Sequence, residues 1–156
     1  MVEQTRDSAG VIAPPPLIYA GGLVAGLTLQ RIFPVHLVPR PVARAAGLLL
    51  IGLSLVIAVP AFLAMRRAGT DVRPDKPTTA LVTEGPFGHS RNPLYLSTAL
   101  LYTGIAAFAN APWPKLLLPA VLLVIQRGVI EREERYLERK FGDEYRRYKA
   151  RVRRWI

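Results

Sequence analysis

Three ionisable residues stand where an apolar run gives way to charge. Arg127 and Glu131 are four residues apart and Glu134 is three further on, so one continuous helix carries all three on one face. Ionisable groups at that depth are costly, and they pair with each other or face a polar cavity. Alternatively, Arg127 snorkels to the headgroups. A second candidate lies at Asn92-Pro93, a good helix start with Asn at N-cap and Pro at N1. Its free N–H groups could hold a small anion such as a carboxylate, or it is a plain capped start. His89 is the only histidine near these polar segments, so no Ser/His/Asp set can be assembled. With no Cys and two His in 156 residues, thiolate chemistry is excluded and a His-based zinc site would need carboxylate help; no metal is expected. There is no Gly-rich phosphate loop of Walker or dinucleotide type. A polar pocket formed by the two segments and open sideways to lipid suits a reaction between a water-soluble cofactor and a lipophilic acceptor.

The elements that must position these groups are apolar. Hydrophobic residues make up 51% of the chain, while the 21% that are charged cluster outside four apolar segments. These segments run over about 14–33, 42–65, 93–109 and 113–130. A helix needs roughly 20 residues to cross a bilayer core, so the first two have the length and the last two are shorter. The turn Ala109–Trp113 joins those two into a helical hairpin. Lipid cannot satisfy free backbone groups, so each span is helical. The expected fold is all-α: a single-domain integral membrane bundle of four transmembrane helices. The polar leader MVEQTRDSAGVIA has balanced charge and is not read as a signal peptide.

Net charge is +10. Lys and Arg number one before the first span, five in the loop 66–92 and eleven from Arg127 onward, against three and one in the other two connections. The positive-inside rule then places both termini, the long loop and the active site in the cytoplasm. Basic flanks beside spans read as orienting charges that touch anionic lipid, and no nucleic-acid motif is visible. At 27 residues the loop 66–92 exceeds the ~12–15 of ordinary connections. Its first half reads as a linker, whereas Leu81, Val82, Gly85, Pro86 and Phe87 in its second half mix apolar and turn residues. Beyond Gly142, Tyr145, Tyr148, Val152, Trp155 and Ile156 interleave with basic residues. That pattern predicts a C-terminal interfacial helix with aromatics at headgroup depth, which could also close a pocket.

Two stretches resemble a known family. Val82–Phe87 followed by His89-Ser90-Arg91-Asn92-Pro93-Leu94-Tyr95 is similar to the "GPF…RHPxY" region of the isoprenylcysteine carboxyl methyltransferase family. Glu133-Glu134, Leu137, Phe141-Gly142, Glu144-Tyr145, Tyr148 and Arg151-Val152 resemble its C-terminal "EE..L...FG.EY..Y..RV" pattern. Together they cover roughly the last 75 residues and flank the helical hairpin. The resemblance extends to the phospholipid methyltransferase-like membrane enzymes.

What the resemblance implies is an integral membrane methyltransferase that uses S-adenosyl-L-methionine without a Rossmann domain. It places the cofactor against His89, Ser90, Arg91, Asn92, Pro93, Tyr95 and Leu96, and against Glu133 and Tyr145. The acceptor, a lipophilic small molecule or lipidated group, arrives from the bilayer, and Arg127 takes the position associated with it. For a carboxylate acceptor, the leading expectation, Arg127 orients it by a bidentate contact, and Glu131 or Glu134 positions the arginine or binds hydroxyl or amine groups of the cofactor. For an amine or thiol, one of those carboxylates acts as general base. Asn92 replaces the family's usual His before Pro, and Arg153 stands where a Pro often follows Val. The competing readings are an NADPH-dependent membrane reductase of sterol-reductase-like architecture and a non-catalytic membrane scaffold.

Overall fold

In the computed structural model, residues 7–156 are described; residues 1–6, the start of the polar leader and its one basic residue, lie outside them. The described chain is helical and contains no strand. Helices α1 (Pro15–Ile32), α2 (Arg40–Arg67), α3 (Pro93–Phe108) and α4 (Pro112–Ile125) each have proline in the first turn. Proline is at home there because the first turn's N–H groups have no partner within the helix. A π turn, Gln126–Ile130, carries α4 without a break into α5 (Glu131–Phe141), and α6 (Asp143–Arg151) follows. Gly142 makes the corner between them at φ +52°, a conformation that costs a residue with a Cβ.

α2 packs along α3, and α1 packs along α4. The α2–α3 contact is close because Gly47 lies against the backbone of Phe108. A Cβ at position 47 would stand 2.5 Å from the Phe108 nitrogen. Small residues that let helix backbones approach are the usual packing device where lipid removes any hydrophobic drive between helices. Around Tyr19, Tyr102, Val121 and Ile125 a buried cluster joins α1, α3 and α4.

The outward faces are greasy. Leu48, Leu49, Leu53, Leu55, Val56 and Val59 of α2 are all exposed, and only 11% of its most apolar stretch is buried within the protein. The core helix of a water-soluble protein would be mostly covered, so this surface is suited to lipid. α2 and the helix beginning at Pro112 are long and apolar enough to cross a membrane. The apolar part of the second ends at Ile130, and α5 beyond it is dominated by charge. At 16 residues α3 is shorter, while α1 has 18.

Hydrogen bonds tie the two ends separately. At one end Asn110, at φ +51° in the α3–α4 turn, donates from Nδ2 to the Val38 carbonyl at 2.7 Å, and Trp113 Nε1 donates to the Phe33 carbonyl at 2.8 Å. At the other end lie the 68–92 loop, α5 and α6. Here two of the C-terminal aromatics take the pocket-closing part of the sequence expectation. Tyr145 and Tyr148 are buried and not at a headgroup-facing surface; Tyr148 donates to the Phe87 carbonyl at 2.7 Å. The tail returns to the loop, where the Arg91 N–H donates to the Arg153 carbonyl at 3.0 Å.

Gly47→Leu should force α2 from α3 and lower stability by about 1–3 kcal/mol or more, the usual cost of overpacking. Gly52, with open space around its missing Cβ, is the control: Gly52→Ala should stabilise by roughly 0.5–1 kcal/mol. Thermal unfolding in detergent reads both.

Candidate active site

A cavity of about 840 Å³ opens at the loop-bearing end, within the roughly 300–1,000 Å³ of small-molecule sites. Its walls come from the start of α3, from α5 and α6, from the N-terminal arm and from the 68–92 loop. Met65 and Ala58 of α2 extend it toward the apolar flank. The loop's first half is therefore not a plain linker. Asp71 through Asp75 line the cavity, and the Thr79 N–H donates to Thr70 Oγ1 at 3.1 Å to hold the turn.

The start of α3 and the first turn of α5 meet through charge. Glu134 Oε1 lies 3.0 Å from an Arg91 guanidinium nitrogen, and both side chains are only 9% exposed. Arg154 reaches back from the tail and clasps the same carboxylate bidentately, Nε to Oε1 at 3.0 Å and Nη2 to Oε2 at 2.8 Å. A planar guanidinium matches a carboxylate in this geometry. The Glu134 carboxylate raises the Arg154 pKa further. Main-chain contacts brace the clasp. The Arg154 carbonyl accepts from Asn92 Nδ2 at 2.9 Å and from Ser90 Oγ at 3.3 Å. Asn92 thus occupies the N-cap position without capping through its side chain; Ser90 Oγ instead receives the Asn92 N–H at 3.1 Å.

Glu133 is in a different setting. Its carboxylate accepts from the Tyr95 hydroxyl at 2.8 Å and has no cation partner among the described residues. Burial pushes its pKa up to about 7, with the neighbouring Glu134 charge adding to the effect and the Tyr95 hydrogen bond opposing it. Two adjacent carboxylates therefore behave differently: Glu134 is locked between arginines, whereas Glu133 can change charge near neutral pH. Tyr148, pushed up to about 12 by burial, and Tyr145, also raised by burial, remain neutral phenols.

The residues expected from the sequence divide accordingly. Arg91, Asn92, Pro93, Tyr95, Glu133, Glu134 and Tyr145 share the cavity wall. His89 is exposed, Ser90 is buried beside the tail, and neither these two nor Leu96 lines the cavity. Glu131 sits outside it, its carboxylate 3.8 Å from Arg154. Arg127 is exposed and away from the cavity. The expected common face of Arg127, Glu131 and Glu134 assumed a regular α-helix. The π turn at Gln126–Ile130 widens the helix there, so a seven-residue step no longer returns to the same side.

Three contributors escaped the sequence reading. Arg154 is one of eleven basic residues from Arg127 onward, and nothing in its spacing singles it out. Tyr136 donates to Asp7 at 2.7 Å and receives the Thr78 N–H at 3.1 Å, joining arm, loop and α5. The arm itself is laid across the helices by the Ile12 N–H donating to the Gly128 carbonyl at 3.2 Å.

A helical bundle with lipid-suited flanks and an enzyme-sized, largely apolar cavity at its charged end has the build of a membrane protein. Residues 42–144, well over half of the chain, match the model of the phospholipid methyltransferase family. The chain belongs to that family, and so to the membrane methyltransferases. A 63-residue stretch is 46% identical to an uncharacterized protein of Haemophilus influenzae, covering 40% of this chain and 79% of that protein.

Removing the shared carboxylate should leave Arg91 buried without its counter-charge. Glu134→Ala is expected to cost about 3–5 kcal/mol, the range for breaking one side of a buried pair. Arg154→Ala should cost less, because Arg91 remains on Glu134. Denaturant unfolding in mixed micelles gives both values, and equal losses would contradict the arrangement.

Proposed function

We propose that the chain is an S-adenosyl-L-methionine-dependent methyltransferase whose acceptor is lipophilic and enters from the bilayer. In this reading all four apolar helices span the membrane, with both termini and the cavity on the cytoplasmic side. The observation that carries it is the shared cavity: the Arg91–Tyr95 stretch and the Glu133-Glu134 pair, 38 or more residues apart in sequence, form one wall. Family membership supports the reaction class.

The residues fit the cofactor. Its positive groups suit Glu133, the cavity carboxylate with no cation of its own among the described residues. Its carboxylate suits Arg91, whose buried Nε has no partner among those residues. When bound, the cofactor supplies an electrophilic methyl group on a sulfonium. The protein's part is to hold the acceptor in line with that methyl group and to keep water out. The apolar wall near Ala58 and Met65 suits the acceptor's hydrocarbon part.

A carboxylate acceptor remains the leading candidate, of the isoprenylcysteine carboxyl type. It needs no base, because the new O–CH3 bond simply neutralises the attacking oxygen. With Arg127 outside the cavity and Arg91 given to the cofactor, orientation passes to Arg73, which also lines the wall. A phospholipid amine is the second reading, favoured by Glu133. An amine must shed a proton, and a carboxyl titrating near 7 is placed to accept it.

Transfer of radiolabelled methyl groups to carboxylate, amine and thiol acceptors bearing long acyl or prenyl chains tests the proposal. Labelled product is expected for one acceptor class, and Arg127→Ala should keep most of the activity. No labelled product with any acceptor, together with no binding of S-adenosylhomocysteine, would overturn the reading. Cofactor affinity should also follow the charge of Glu133. About a tenth of a group with pKa near 7 is ionised at pH 6 and about nine tenths at pH 8. Affinity for S-adenosylmethionine should therefore rise close to tenfold over that interval, and Glu133→Gln should flatten the profile. Titration calorimetry at the two pH values measures both.

A further inference from the structure

At the end of the bundle away from the cavity is a second, smaller hollow of about 520 Å³. His36, Arg40 and Arg44 line it, along with Phe108, Ala109 and Asn110 of the α3–α4 turn. Arg40 and Arg44 are four residues apart at the start of α2, so their side chains are neighbours on one face. Like charges in that relation repel each other. Nothing in the sequence offsets them locally: there is no Asp or Glu from residue 8 to 70, or from 85 to 130. Both segments that build this end are therefore free of acid, and Arg31 and Lys115 add further positive charge to it. Among the described residues no ion pair involves Arg31, Arg40, Arg44 or Lys115. By contrast, the arginines of the cavity end sit among carboxylates.

The hollow is also held in shape. Its rim is fixed where the Asn110 side chain donates to the Val38 carbonyl and Trp113 donates to the Phe33 carbonyl. Phe33 and Trp113, with ring centroids 6.4 Å apart, form an aromatic pair at this end, the composition favoured at headgroup depth. α2 is 28 residues, about 40 Å, long, so the hollow and the cavity lie near opposite membrane faces.

We propose that His36, Arg40 and Arg44 form an anion site for a phosphate group at the membrane face opposite the cavity. Two guanidinium forks and an imidazole N–H supply several donors without a competing carboxylate. A phosphodiester of an anionic lipid and free inorganic phosphate share that chemistry. The site is independent of the methyltransferase reading.

Native mass spectrometry of the detergent-solubilised full chain, titrated with phosphatidylglycerol, phosphatidylcholine or inorganic phosphate, tests the site. Wild type should retain phosphatidylglycerol at least tenfold more tightly than phosphatidylcholine, and Arg40→Gln/Arg44→Gln should abolish that preference. Arg66→Gln/Arg67→Gln, at the other end of α2, should leave it intact. Competition by millimolar inorganic phosphate would support a general phosphate site, and retention despite phosphate a lipid headgroup site. Equal retention by wild type and the Arg40/Arg44 variant, or equal loss in the Arg66/Arg67 control, would overturn the proposal. Monodisperse elution of each variant on size exclusion, with the helical content of wild type, reports that it is folded.

Discussion

The carboxylate of Glu134 is the point on which the site depends. Three parts of the chain converge on it: α5, which carries it, Arg91 ahead of α3, and Arg154 from the tail. A buried charge tolerates neither the loss of its partners nor their displacement. The pairing therefore fixes where the loop enters α3 and where the tail crosses. With Glu134 held in this way, the adjacent Glu133 is left facing the cavity with only the Tyr95 hydroxyl as partner. The division of labour between the two acids follows from their places on α5: one is used to build the wall and the other is left available within it.

The surrounding bundle serves that arrangement by staying apolar outside and closely packed inside. Gly47 lets α2 lie against α3, and the buried Tyr19–Tyr102 contact links α1 to α3. The polar groups needed for chemistry are then confined to one end. Confinement matters in a membrane, where an unpaired charge along the spans would be expensive.

Much of the architecture was legible in the sequence. Prolines at the starts of α1 and α3, together with the lengths of the apolar runs, marked α1, α2 and α3 within a residue or two, whereas the fourth run overshot α4 by the length of the π turn. The convergence of Arg91–Tyr95 with Glu133-Glu134 was legible from the two motifs. What could not be read was geometry that composition does not encode. The stretch Gln126–Ile130 carries no mark of a π turn, so Arg127 looked like a cavity residue when the wider turn leaves it outside. Tyr145 and Tyr148 among basic residues have the composition of a surface anchor, and the fold buries them against the loop and the cavity. Arg154 differs from its basic neighbours solely in where the backbone takes it.

The central claim is that this end of the bundle encloses the methyl donor. Ultraviolet crosslinking of radiolabelled S-adenosylmethionine to the chain in lipid nanodiscs, followed by peptide mapping, tests it most directly. The account predicts label in the peptides containing Arg91–Tyr95 and Glu133–Tyr145, competed away by S-adenosylhomocysteine. Competable label confined to peptides from the Val35–Arg44 end, or no competable label at all, would contradict it.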